Sequence, residues 1–212
     1  MNKTSKWVDF VVLAIISSIA SYAVLSVSPA HAFSNASAST WLQPFIEDSH
    51  GLNLQEIKHQ VALYDCGLEQ DDEEFCSDEI WYYKTPVVTR MFVNQREVVH
   101  SMKLSAEFNA SAFTDIQLSL RKDGFYVSEV FKLGERFSIE EQQERLDSST
   151  LDQKLVQFIN QGSASDPVEI RWRHQQNQQS SANSSFNSNN DVFALLTSNG
   201  SVIDVIFKHS AH

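Results

Sequence analysis

The two cysteines of this chain bracket CGLEQDDEEFC, from Cys66 to Cys76, and between them stand Glu69, Asp71, Asp72, Glu73 and Glu74 without a basic residue. Two chemistries suit so dense a set of carboxylates. One is oxygen ligation of a hard cation such as calcium, to which Asp78 and Glu79 would add two more ligands. The stretch has neither the spacing nor the central glycine of an EF-hand loop. Two thiols with no histidine close by make half a zinc site at best. No metal is assigned. The other chemistry is docking against a cationic protein. Closing this ring as a disulfide removes about 3 kcal/mol of unfolded-state freedom on the chain-entropy model, more than salt-screened repulsion between exposed carboxylates returns. The bond can therefore hold like charges in one shape, and a preshaped loop loses less entropy when it binds. The five carboxylates are the candidate partner-binding residues. A solvated hairpin tip that serves only solubility is the competing use of the same composition.

Histidine chemistry is less marked. His50, His59, His100, His174, His209 and His212 include no H-E-x-x-H pair, and neither a G-x-S-x-G elbow nor a Gly-rich phosphate loop occurs. With 6 glycines in the whole chain, backbone cradles for phosphate are scarce. No catalytic residue and no cofactor is assigned. A site assembled from distant residues around His100 or His59, with a serine or an acid, would make the chain a secreted or periplasmic hydrolase, which is the alternative to a binding protein. His100 falls in step with Val98, Met102, Leu104, Ala106 and Phe108, which alternate with Val99, Ser101, Lys103, Ser105 and Glu107. That spacing predicts a core-facing histidine, neutral and structural. Arg171 and Arg173, with His174 adjoining, share the outward face of a predicted strand, where two guanidiniums could clamp a carboxylate or phosphate but more commonly pair with local acids. Trp81, Tyr82 and Tyr83 could stack on a sugar or peptide, or pack across a sheet.

Residues 1–32 read as a cleaved export signal. Lys3 and Lys6 precede an apolar run over 10–27, and Ala30-His31-Ala32 is a small-x-small cleavage site. The chain is then periplasmic in a Gram-negative source and secreted otherwise, and the oxidising compartment favours a Cys66–Cys76 disulfide. The formal net charge is -11, and losing Lys3, Lys6 and Asp9 makes the remainder more acidic. Such a chain is repelled by phosphate backbones and anionic lipid, so nucleic acid and membrane are not expected partners after cleavage, and a cationic envelope or secreted protein is.

Patterning supplies the elements. Residues 33–40 are small and polar and predict a flexible stretch. Trp41, Leu42, Phe45 and Ile46 stand at helical spacing, with Pro44 in a first turn. Strands are predicted over 57–64 and 80–84 on either side of the acidic loop, and over 87–93 and 98–108, joined by a turn at Asn94-Gln95. The spacing over 109–122 favours a helix capped by Asn109, though a strand fits as well. A strand follows over 125–133. Ser138/Glu141 and Thr150/Gln153 have capping-box spacing, and Leu151, Leu155, Phe158 and Ile159 make a helix face. Residues 167–173 alternate again. Residues 175–190 are amide- and serine-rich and predict a mobile loop. Beyond them lies a hairpin with Asn199-Gly200 as a type I′ turn.

The sum is one α+β domain over 41–212, a mostly antiparallel sheet packed on one or two helical elements after the signal peptide. The expected function is non-enzymatic: an exported envelope binding protein that engages a basic protein through the acidic, disulfide-closed loop, inhibition of an envelope hydrolase being one form of it.

Overall fold

A computed structural model describes residues 37–47, 52–55, 63–67, 74–94, 97–174 and 192–209. The predicted signal peptide, the amide-rich segment 175–190, His50, His59, and Glu69, Asp71, Asp72 and Glu73 lie outside the described residues.

Antiparallel pairing dominates. The strands are β1 (Leu52–Asn53), β2 (Leu63–Asp65), β3 (Glu74–Ser77), β4 (Ile80–Tyr82), β5 (Thr85–Val93), β6 (Val98–Glu107), β7 (Phe125–Lys132), β8 (Glu135–Ser138), β9 (Val168–His174), β10 (Val192–Ser198) and β11 (Val202–His209). Their order across the sheet is β2-β3-β5-β6-β11-β10-β9-β7-β8, with β1 added to β6 and β4 to β5. The helices are α1 (Ser39–Glu47), α2 (Ala110–Lys122), α3 (Ile139–Gln143) and α4 (Ser148–Ile159). The fold is α+β, as the patterning predicts. Three strands separate β6 from β7, and α2 carries the chain across them.

One sheet face is buried. Val127, Val130, Ile170, Trp172, Ala194, Leu196, Val205, Phe207 and Leu104 join Trp41, Leu42 and Phe45 of α1, Ile116 and Leu120 of α2, and Leu155 and Phe158 of α4 in one core. The intervening residues of each strand point to the other face, which no described helix covers. Trp172 and Phe207 are fully buried, so removing either would lose transfer energy and leave a cavity, about 3–5 kcal/mol for such a ring.

Local chemistry sets the helix ends. The Asn109 carboxamide accepts from the Ala112 N–H at 2.8 Å, which settles 109–122 as helix. Ser138 accepts from the Glu141 N–H and caps α3 as expected. For α4 the cap is Asp147 rather than Thr150: the Asp147 carboxylate accepts from the Thr150 N–H, so the helix starts earlier and Thr150 lies inside it. Lys132 is buried in the core-facing row of β7, and its ammonium donates to the Ile159 carbonyl at 2.8 Å, satisfying the end of α4. Pro44 falls in the second turn of α1 rather than the first. Contacts with the sheet begin at Ser37, which bridges to Trp81, and Ala38 is fully buried, so of the predicted flexible stretch 33–40 the last four residues are placed.

Three further sequence expectations give way. The strand returning from the acidic loop is β3, which contains Cys76 itself, while Ile80–Tyr82 is a separate arm paired with β5. The β10–β11 turn is centred on Gly200-Ser201: Gly200 has φ +81, Asn199 does not have positive φ, and the Asn199 side chain accepts from Ser201 and Val202 N–H groups. A type I′ turn on Asn199-Gly200 would need both residues left-handed.

His100 is the third. It is exposed, not core-facing. The β5–β6 register passes from Phe92↔Ser101 to Val93↔Val99, which leaves His100 as the extra residue of a bulge. The alternation resets there, so Val99 and Met102 both face the core although they are three apart. His100→Asp should therefore move the melting midpoint by no more than about 0.5 kcal/mol of stability, as for other exposed substitutions. Val99→Asp, one residue away, should prevent folding. Thermal denaturation of the pair checks the assignment, and a His100→Asp protein that unfolds would overturn it.

Candidate functional site

The acidic stretch is fastened at the sheet margin. Cys66 and Cys76 are bonded, the Cys66 N–H donates to the Glu74 carbonyl, and Tyr64 pairs with Cys76 across β2 and β3. Glu74, the one described member of the five carboxylates, is half-buried and ion-paired with Arg90 at 3.0 Å. Its charge is thereby neutralised by Arg90. Cys66, Glu74 and Cys76 offer ligand atoms within 4.8 Å of one another. Both sulfurs are consumed by the disulfide, which leaves the Glu74 carboxylate as the one available ligand of this group among the described residues.

At the turn of the β4–β5 hairpin, Asp123 gathers two phenols. It ends α2, with Arg121 and Lys122 in the last turn. The Tyr82 hydroxyl donates to Oδ2 at 2.7 Å and the Tyr83 hydroxyl to Oδ1. The Lys122 ammonium stands 4.2 Å from the Tyr83 ring centre. Tyr83 takes φ +54 at the first position of a two-residue turn, a conformation usually given to glycine. Burial, then the Asp123 charge and hydrogen bond, push the Tyr82 phenol far up. Burial, the hydrogen bond to Asp123 and then its charge push Tyr83 up to about 12. This cluster ties a hairpin to a helix end and keeps both phenols protonated.

The aromatic trio is divided by this arrangement. Trp81 is exposed, Tyr82 is fully buried and Tyr83 lies between, the two tyrosine rings being tilted with centroids 5.3 Å apart. No common stacking surface results. His174 does not adjoin the arginines either. It turns to the inner face, where its ring meets Phe125 edge-on at 5.1 Å and lies against Gly124. Burial lowers its pKa, opposed by its hydrogen bond to the Asp123 backbone carbonyl.

Arg171 and Arg173 do share the uncovered sheet face. Arg171 is engaged: it pairs with Glu129 at 2.8 Å and Glu169 at 2.9 Å and lies 4.7 Å from the Phe131 ring centre. Glu129 also accepts from Arg136, which reaches Glu141 at 2.7 Å. Arg171 thus pairs with local acids, the commoner use of such a face, and no two-guanidinium clamp with Arg173 results. Glu129 as a hub and Asp123 as an acceptor have no local sequence signature, since their partners are 7 to 42 residues away.

No family model, curated protein or solved structure matches the chain. Function has to be argued from these surfaces.

Proposed function

We propose that the chain is an exported, non-enzymatic binding protein of the cell envelope, periplasmic in a Gram-negative source and secreted otherwise, whose acidic stretch engages a basic protein. Inhibition of an envelope hydrolase is one form of that activity. The observation that carries the reading is the Cys66–Cys76 bond, which fastens the carboxylate-rich segment to β2 and β3. Disulfides persist in oxidising compartments, which agrees with the leader-like residues 1–32. The formal net charge of -11 supports attraction of a cationic partner.

The test uses the chain from Phe33 as bait in envelope extract. Glu69→Gln, Asp71→Asn, Asp72→Asn and Glu73→Gln together should leave the melting temperature nearly unchanged, because exposed charges contribute little to folding. They should slow association with the captured basic protein by roughly tenfold, and the wild-type rate should fall as salt rises. Glu74 is left in place because Arg90 already neutralises it. Equal association rates for the two proteins would refute the role of the acidic stretch.

A further inference from the structure

We infer that the uncovered face of the sheet binds an acidic carbohydrate chain. Register places Tyr126 opposite Arg173, Arg173 opposite Phe193, and Phe193 opposite Lys208. All four side chains point to the uncovered face: Tyr126 is 46% and Phe193 37% exposed, and Arg173 and Lys208 are exposed as well. The row across β7, β9, β10 and β11 therefore alternates ring, cation, ring, cation. Strands stand about 4.8 Å apart, so the two rings are about 10 Å from one another, and so are the two cations, offset by one strand.

Charge singles out this row. The other described cations of the same face are neutralised: Arg90 by Glu74, Lys103 by Asp204, Arg136 by Glu129 and Glu141, Arg171 by Glu129 and Glu169. Arg173 and Lys208 have no carboxylate within ion-pair reach among the described residues. The row also borders a groove of about 580 Å³ lined by Ser128, Glu129, Arg136, Arg171, Arg173 and Phe193. Two exposed rings, two cations without a carboxylate partner among the described residues, and a groove share one face.

An occupant must present flat apolar faces and negative charges in alternation on that repeat. A glycan with one uronic acid per disaccharide does so. The C–H face of a neutral pyranose packs on Tyr126 or Phe193, and the carboxylate of the next sugar pairs with Arg173 or Lys208. A nucleic acid fits less well: a duplex carries a charge about every 1.7 Å, and two cations do not offset its repulsion by a chain of formal net charge -11. An acidic peptide would satisfy the cations but brings no flat ring faces at this spacing. The surface is separate from the acidic stretch, since it occupies β7 to β11, whereas Cys76 lies in β3 near the other end of the strand order.

Titration of the chain from Phe33 with oligosaccharides of alternating glucuronic acid and N-acetylglucosamine tests this. Binding should weaken with salt. It should fall at least about tenfold in Arg173→Gln/Lys208→Gln, and again in Phe193→Ala. The melting temperature should hold in the charge variant, because neither cation has a described partner to lose. Arg90→Gln, which removes one positive charge from an ion pair on the same face, should bind as wild type does. Absence of binding, undiminished binding by the charge variant, or an equal loss in Arg90→Gln would overturn the proposal. So would tighter binding of oligo(dT) or polyglutamate than of the glycan. The acidic-stretch variant should bind the glycan at least as tightly as wild type does, so failure of either proposal leaves the other standing.

Discussion

Asp123→Ala should cost about 3 kcal/mol of stability and lower the melting temperature by roughly 6–12 °C, for a chain of this size. Tyr82 is fully buried, and its hydroxyl has Asp123 Oδ2 as its acceptor at 2.7 Å. Deleting the carboxylate leaves that hydroxyl without a described partner, so the loss includes its full desolvation cost and not only the hydrogen bond. Tyr83 compounds the effect: its left-handed backbone, φ +54, is held by the second oxygen of the same carboxylate and by Lys122. The cycle with Tyr82→Phe separates the contributions. Tyr82→Phe alone should be mild, and adding it to Asp123→Ala should recover part of the loss by removing the orphaned hydroxyl. A double variant as unstable as Asp123→Ala would show that the buried hydroxyl is not the source.

The same cluster fixes an alkaline limit. Burial and Asp123 raise both phenols above the ordinary value of 10.0, Tyr83 to about 12 and Tyr82 further in the same direction. The folded state then holds protons that the unfolded state releases. The cluster's contribution is intact below pH 10 and declines as pH rises through about 12. Urea midpoints measured upward from pH 9 should fall, and the fall should flatten in Tyr82→Phe/Tyr83→Phe.

Legibility in the sequence followed the range of the interaction. Helix α2 is only half readable, because the apolar spacing over 109–122 fits a helix and a strand alike, and the Asn109 cap decides between them. Strand β9 was readable because Val168, Ile170 and Trp172 alternate without interruption. His100 was misplaced because a bulge reverses the alternation, and a bulge is decided by the partner strand, here between Phe92 and Val93 of β5. The return strand after the acidic loop was misassigned for a related reason: IWYYK has the stronger strand composition, but the disulfide draws β3 to β2. The row Tyr126, Arg173, Phe193, Lys208 depends on the registers of four strands drawn from distant parts of the chain. No single segment encodes it, whereas the outward direction of Arg171 and Arg173 could be read from period-two alternation alone.

Reducing the Cys66–Cys76 bond should also remove about 3 kcal/mol, mainly by returning freedom to the unfolded chain, and should lower the melting temperature by roughly 6–12 °C. The bond joins residues 10 apart at the margin of the sheet. Strand β2 is the last in the strand order, and three residue pairs hold it to β3. Once reduced, β2 and β3 should exchange their amide protons quickly, while β9, β10 and β11, paired in the sheet interior, should stay protected at the level of global unfolding. Cys66→Ser/Cys76→Ser should reproduce both results without reductant. An unchanged melting temperature together with unchanged exchange in β2 and β3 would mean that the hairpin is held by its backbone pairing alone. The functional consequence differs from that of neutralising the carboxylates. Under the proposed function, charge removal should act on long-range attraction and slow association, whereas reduction, which leaves the charge in place, should mainly hasten dissociation. Stopped-flow association and chase experiments on the captured partner separate the two. Only a loop that binds in the shape set by its disulfide gives slow association in one variant and fast dissociation in the other.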